Sequence, residues 1–162
     1  MNAAAKHEMI LTTPSDREIT LTRAFNAPRE LVFKALTTPS LIRRWWGAGH
    51  AEMTACDFDA RAGGTWRFEA KTPDGYELAF FGEGREADPP AGMVYTEAFD
   101  VPEVRDRPSI VTVRLREENG ITTLTTTSRF ASVEDRDMVI ATGMEHGAAA
   151  SYDALEALLA EQ

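Results

Sequence analysis

The stretch from about Glu134 to Ala160 constrains the fold more than any other part of this chain. It contains no proline and opens on Ser132, whose hydroxyl can cap the orphan amides of a first helical turn. Asp135 stands three residues on, as in a capping box, and Glu134, Asp135 and Asp137 complement the positive end of a helix dipole. The pattern predicts one helix to the end of the chain, roughly 40 Å long at about 1.5 Å per residue. Met144, Ala148, Ser151, Leu155 and Leu158 recur at helical spacing as a mostly apolar stripe, with Ile140 and Ala141 a turn earlier. Gly143, Gly147, Ala150 and Ala154 form an adjacent strip with almost no side chain. An interior glycine costs about 1 kcal/mol relative to alanine. Two of them one turn apart imply close packing against a strand, or a helix thinned to leave room for a bound molecule.

The preceding sequence supplies a sheet for such a helix to cover. Residues 1–16 read as a mobile tail, although Met9-Ile10-Leu11 could pair with a sheet edge. In Arg17–Phe25, Ile19, Leu21 and Phe25 alternate with polar neighbours, the period of a strand. Pro28 then opens a helix whose inward face is Leu31, Val32, Ala35 and Leu36. Thr38-Pro39 stops it and starts a second short helix that ends at Gly47, so the two form a V. Strands follow over Ala51–Phe58, Thr65–Lys71, Tyr76–Glu86, Met93–Phe99, Ile110–Glu117 and Ile121–Phe130. Tight turns separate most of them, including Asn119-Gly120, and Gly82 and Gly84 mark a bulge or bend. Consecutive strands joined this way imply an antiparallel meander. The expected fold is therefore α+β. A curved antiparallel sheet of about six or seven strands wraps the long terminal helix, with residues 17–162 forming one domain around a concave apolar space.

Composition removes several functions. A formal net charge of −9 opposes binding to nucleic acid, which needs a basic face, and says as little for an anionic membrane surface. Cys56 is the only cysteine, so no internal disulfide can form and a reducing compartment is expected. The N-terminus carries no long apolar run, so neither a signal peptide nor membrane insertion is expected, and the cytoplasm is the default location.

The residue types that carry chemistry are sparse. No spacing of histidines, cysteines or carboxylates has the form of a metal site, no phosphate loop is present, and no cofactor is implied. The weak catalytic candidates are Glu145, His50 and Asp57. Glu145 lies between the two helix glycines, where a side chain could reach a cavity wall and be buried. His50 follows the Trp-Trp-Gly turn and could stand at a cavity mouth, whereas His7 and His146 read as surface residues. Asp57 and Asp59 sit two apart on an extended segment, either as an acid–base pair or as a solvated face with Asp59 bonded to Arg61. Cys56 reads as a small core residue. The aromatic set points to a pocket. Trp45, Trp46, Trp66, Phe68, Phe80, Tyr95 and Phe99 could converge with Met138, Thr142 and Met144 on the concave side.

Several stretches carry a family resemblance: F25-N-A-P-R-E-L-V-F-K-A-L-T-T-P, L41-I-R-R-W-W-G, D57-F-D-A-R-A-G-G-T-W-R-F, D74-G with F81-G-E-G, I121-T-T-L-T, and G143-M-E-H-G ahead of L155-E-A-L-L. In this order, over residues 17 to 160, they resemble the helix-grip fold of the SRPBCC superfamily, which includes START lipid-transfer domains and the birch-pollen-allergen proteins. Within it they are similar to the branch named for the C-terminal domain of the heat-shock-protein-90 ATPase activator. The resemblance implies a stress-response setting and a cavity between sheet and terminal helix. Two departures matter. The eukaryotic activators carry an additional N-terminal domain, for which this chain has no room. Many relatives also place tryptophan after the glycine of the last helix, where this chain has Ala148 after Gly147, which would widen the cavity.

Three functions follow as expectations. The first is a binding protein for a small apolar or amphipathic molecule, held between sheet and helix with the Trp45–His50 end as a mouth. The second is a co-chaperone-like module with a chaperone partner. The third is a cavity enzyme, since helix-grip relatives include hydrolases, cyclases and dehydratases. An exposed strand edge would allow a homodimer.

Overall fold

The computed structural model describes residues 7–162. Residues 1–6 of the expected tail lie outside the described residues. The elements in chain order are β1 (Ile10–Thr12), β2 (Glu18–Phe25), α1 (Arg29–Thr37), α2 (Pro39–Trp45), β3 (Glu52–Phe58), β4 (Thr65–Lys71), β5 (Glu77–Asp88), β6 (Gly92–Phe99), β7 (Ser109–Glu118), β8 (Ile121–Arg129), α3 (Val133–Ala141) and α4 (Met144–Ala160). The strands form one eight-stranded antiparallel sheet in the order β1-β2-β8-β7-β6-β5-β4-β3. The α+β class holds, with one or two strands more than expected. Ile10–Thr12 is an edge strand on β2 rather than part of a mobile tail.

The meander from β3 to β8 follows chain order, and β2 returns beside β8 over its whole length, Glu18 opposite Arg129 through Phe25 opposite Thr122. Asn119 and Gly120 both have positive φ, at 55° and 78°, the backbone a two-residue hairpin turn demands. Pro28 caps α1 rather than occupying its first turn, while Pro39 does open α2.

Alternation places one face of every long strand inward: Ile19, Leu21 and Phe25 from β2, Trp66 and Phe68 from β4, Val111, Val113 and Leu115 from β7. Tyr152, Leu155, Leu158 and Leu159 of α4 are buried in the same cluster. Burying such side chains fully contributes about 1.5–3 kcal/mol each. Among buried polar groups, Arg23 is 1% exposed, pairs with Asp153 at 3.0 Å and stands 5.1 Å from the Phe25 ring centre.

The single long terminal helix is corrected to two. Ser132 does cap α3, accepting the Asp135 amide at 3.0 Å. Gly143 then adopts the left-handed conformation, φ 79° and ψ 24°, which ends one helix and starts the next. Met144, Ala148, Ser151, Leu155 and Leu158 do form the inward stripe, but Ile140 and Ala141 are exposed because they lie before the break, in a helix that does not share the frame of α4. The close approach expected at the two glycines is absent among the described residues. A Cβ at Gly143 would meet nothing within 4 Å, and one at Gly147 would meet only the His50 ring, at an ordinary 3.9 Å.

Candidate functional site

Two chambers lie between the sheet and the helical layer. The first, of about 250 Å³, is walled by the aromatic end of the sheet, by α2 and by α4. Trp45, Trp46, Trp66, Phe68, Tyr95 and Met144 line it, together with Phe58, Ala148, Ser151 and Tyr152. The second, of about 260 Å³, lies under α3 and the 100–108 loop, and Phe80, Phe99, Met138, Thr142 and Met144 line it. Leu21, Glu97, Ser128 and Met144 belong to both walls.

The aromatic wall is built by register. Phe68 stands opposite Phe80, and Phe80 opposite Phe99, whose ring stacks on it with centroids 5.1 Å apart. Trp46, which caps the end of α2, meets Phe68 and Phe80 edge-on at 5.6 and 5.8 Å. Trp45 is fixed by its indole, which donates to the Ala35 carbonyl at 3.0 Å, and the Gly47 amide donates to Ser151 Oγ at 3.0 Å. The first bond ties α2 to α1 and the second ties the end of α2 to α4, which holds the tryptophans against the first chamber.

Glu97 is the group that the sequence reading missed. It stands on β6 between Tyr95 and Phe99, so the period of two that turns those rings inward turns its carboxylate inward as well. That alternation was the available signal. Among the described residues no hydrogen bond or ion pair engages the carboxylate, and desolvation pushes its pKa up to about 7. Burial also raises the neighbouring Tyr95 phenol well above its ordinary range, with the Glu97 charge adding to the effect. Tyr152 is raised by the same desolvation, opposed by Thr126 beside its hydroxyl. A carboxyl near neutrality in a mostly apolar enclosure can accept from a cation or hydroxyl when ionised and donate when protonated.

The three weak catalytic candidates lie elsewhere. Glu145 is exposed and borders an outer groove with His7, Glu8, Arg23 and His146. It follows Met144 directly, so a rotation of about 100° per helical residue carries it away from the chamber. His50 is exposed on a shallow outer groove with Glu52, Lys71 and Thr72, held there by the tight turn from Gly47. Asp57 is exposed because it alternates with Cys56 and Phe58, which face inward. The structure thus divides the aromatic set between two chambers that share part of a wall, and leaves His50, Asp57 and Glu145 outside both. Asp59 accepts from Arg61 through Nε at 2.9 Å and Nη2 at 2.7 Å, and that bond holds its carboxyl at about 2. Cys56 is buried and its thiol is raised by desolvation. No group of three or more potential metal ligands exists among the described residues, and no helix is long and apolar enough to cross a membrane.

Residues 26–160 match the family described as Activator of Hsp90 ATPase homolog 1-like protein. Among solved structures, a Rhodobacter sphaeroides protein superposes with a TM-score of 0.86 at 28% identity, over 95% of this chain and 99% of that one. A Staphylococcus epidermidis protein, solved by solution NMR, superposes at 0.79 with 28% identity over 92% and 93%. Protein Ms6760 of Mycobacterium smegmatis shares the fold, with a TM-score of 0.79 at 24% identity over 93% and 97%. No curated protein matches the sequence.

Proposed function

This chain belongs to the Activator of Hsp90 ATPase homolog 1-like family, and from that premise we propose that it binds a small apolar or amphipathic molecule in the two-chambered cavity. The observation that carries the reading is the shared wall of Leu21, Glu97, Ser128 and Met144 between chambers of about 250 and 260 Å³. Ligand pockets typically combine an apolar lining with a few placed polar groups, at total volumes of roughly 300–1,000 Å³. The two chambers together fall in that range. Sequestration needs no turnover, and the molecule enters under α3, which has no buried residue of its own and forms one side of the second chamber. The cytoplasm is the compartment in which we place this activity.

Two alternatives are weighed by the same cavity. A chaperone-binding module needs no internal space, so the open chambers favour the binder, although Met138 and Ile140 are exposed on α3 and offer a surface. A cavity enzyme could not work through His50, Asp57 or Glu145, which line neither chamber, whereas Glu97 lines both.

A thermal-unfolding screen against sterols, fatty acids, flavonoids and polyketide-like aromatics tests the proposal. A ligand at a hundred times its dissociation constant stabilises by about 2.7 kcal/mol, a midpoint rise of roughly 5–10 °C in a domain of this size. Ala148→Phe, which fills part of the first chamber, should abolish the rise. No rise with any class, or an undiminished rise in Ala148→Phe, would contradict the proposal.

A further inference from the structure

Glu97 has no partner among the described residues to explain its position. Its carboxylate belongs to the wall shared by both chambers, yet no hydrogen bond or ion pair reaches it among the described residues. Neither of the nearby cations pairs with it among the described residues, although Nε and Nη2 of Arg23 are buried without a hydrogen-bond partner. Arg107 lines the second chamber but forms a two-pronged bond with Asp135, at 3.0 and 3.1 Å. Arg23, the buried cation of the inner face, pairs with Asp153 and lines neither chamber. Ser109, opposite Glu97 in register, donates at 3.4 Å to the main-chain oxygen of Glu97 rather than to its carboxylate.

We infer that the cavity takes a ligand with an apolar body and one hydrogen-bond-donating head, a protonated amine or a hydroxyl, which meets Glu97 where the chambers share a wall. The inference rests on the binding role proposed above and specifies its chemistry. A donor head satisfies the carboxylate through a charge-assisted bond, and the aromatic walls take the body. A carboxylate head would meet Glu97 with no free cation in either lining, and like charges in a desolvated space repel strongly. With Glu97 ionised, the cavity therefore selects against fatty-acid-like anions although its walls suit their chains. Specificity here comes from the repulsive element as much as from the attractive one.

The test uses three probes that share one body: naphthylmethylamine, naphthylmethanol and naphthoate. Each is titrated into the full chain at mildly alkaline pH, with binding followed through backbone amide NMR shifts. The amine and the alcohol should bind, the amine at least about tenfold more tightly than naphthoate, a difference of about 1.4 kcal/mol. Glu97→Gln, which keeps the shape and removes the charge, should bring the amine and naphthoate within about threefold of each other. Equal or tighter binding of naphthoate to the unmodified protein overturns the inference while leaving the binding role intact. A preference unchanged in Glu97→Gln overturns it as well. Binding of no probe removes the binding role and the inference together. The order of affinities in the unmodified protein decides the matter even where Glu97→Gln does not fold.

Discussion

The Trp66 indole donates its Nε1–H to the Thr96 carbonyl oxygen at 2.9 Å, reaching from β4 to β6 across the intervening strand. Gly82 makes the reach possible, since it stands opposite Trp66 on β5. A Cβ there would collide with the Thr96 carbonyl and come within 2.7 Å of the indole nitrogen. Gly82→Ala should therefore lower stability by about 2–4 kcal/mol, through overpacking and a lost buried bond. Urea unfolding measures this, and a change under about 0.5 kcal/mol would mean that the strands shift freely at this point.

Glu97 makes stability depend on pH in an unusual direction for a carboxylate. Its folded pKa, about 7, lies above the ordinary carboxylate range, so the folded state holds a proton that the unfolded chain releases. The group contributes least penalty at low pH, and stability falls as pH rises from about 4.3, the unfolded value, through the folded value. A shift of this size corresponds to about 4 kcal/mol. Glu97→Gln should remove that fall, so the variant should exceed the unmodified protein in stability above neutrality and match it more closely in mild acid. Denaturant melts of both proteins on either side of the transition measure the difference. Parallel pH profiles would show that Glu97 ionises freely when folded.

The two glycines flanking Glu145 should respond to alanine with opposite signs. Gly143 has φ 79°, where an L side chain is strained by roughly 1–2 kcal/mol whatever the free space around it. Gly147 lies within α4, and an added Cβ would meet only the His50 ring at 3.9 Å. Gly147→Ala should stabilise by up to about 1 kcal/mol, and Gly143→Ala should destabilise. Thermal midpoints of the two variants test the break between α3 and α4. A gain from Gly143→Ala would indicate one continuous helix.

The Arg107–Asp135 pair joins the 100–108 loop to α3 over the second chamber. Arg107 is 44% exposed, so Arg107→Gln should change global stability by less than about 1 kcal/mol. Its local effect should be larger. Hydrogen exchange of the α3 amides should accelerate while that of β7 and β8 stays unchanged. Unaltered exchange in α3 would show that the pair does not hold the helix down.

Much of this architecture is legible in the sequence. Period-two runs and turn residues located the strands of the meander, since each is a local signal of side-chain direction and backbone need. The aromatic wall was legible for the same reason: Trp66 and Phe68, or Tyr95 and Phe99, share a face by alternation. Glu97 obeys the same alternation and was overlooked because a charge in a strand ordinarily marks the solvent side. Glu145 and His50 depart from the expected cavity positions because their placement depends on tertiary geometry. Gly143 is compatible with a helix as well as with a left-handed break, and the choice depends on tertiary packing. The direction of the turn after Trp46 is likewise set by the bond from the Gly47 amide to Ser151, more than a hundred residues away.

The central claim is that a small molecule enters the space between sheet and terminal helix, and tryptophan fluorescence reads that space directly. The chain has three tryptophans, Trp45, Trp46 and Trp66, and all of them line the first chamber. A compound that raises the unfolding midpoint should change their emission saturably, with the affinity that calorimetry gives. The change should be lost in Ala148→Phe. A compound that stabilises the protein without altering tryptophan emission, or that alters it equally in Ala148→Phe, would place binding outside the cavity and contradict the account.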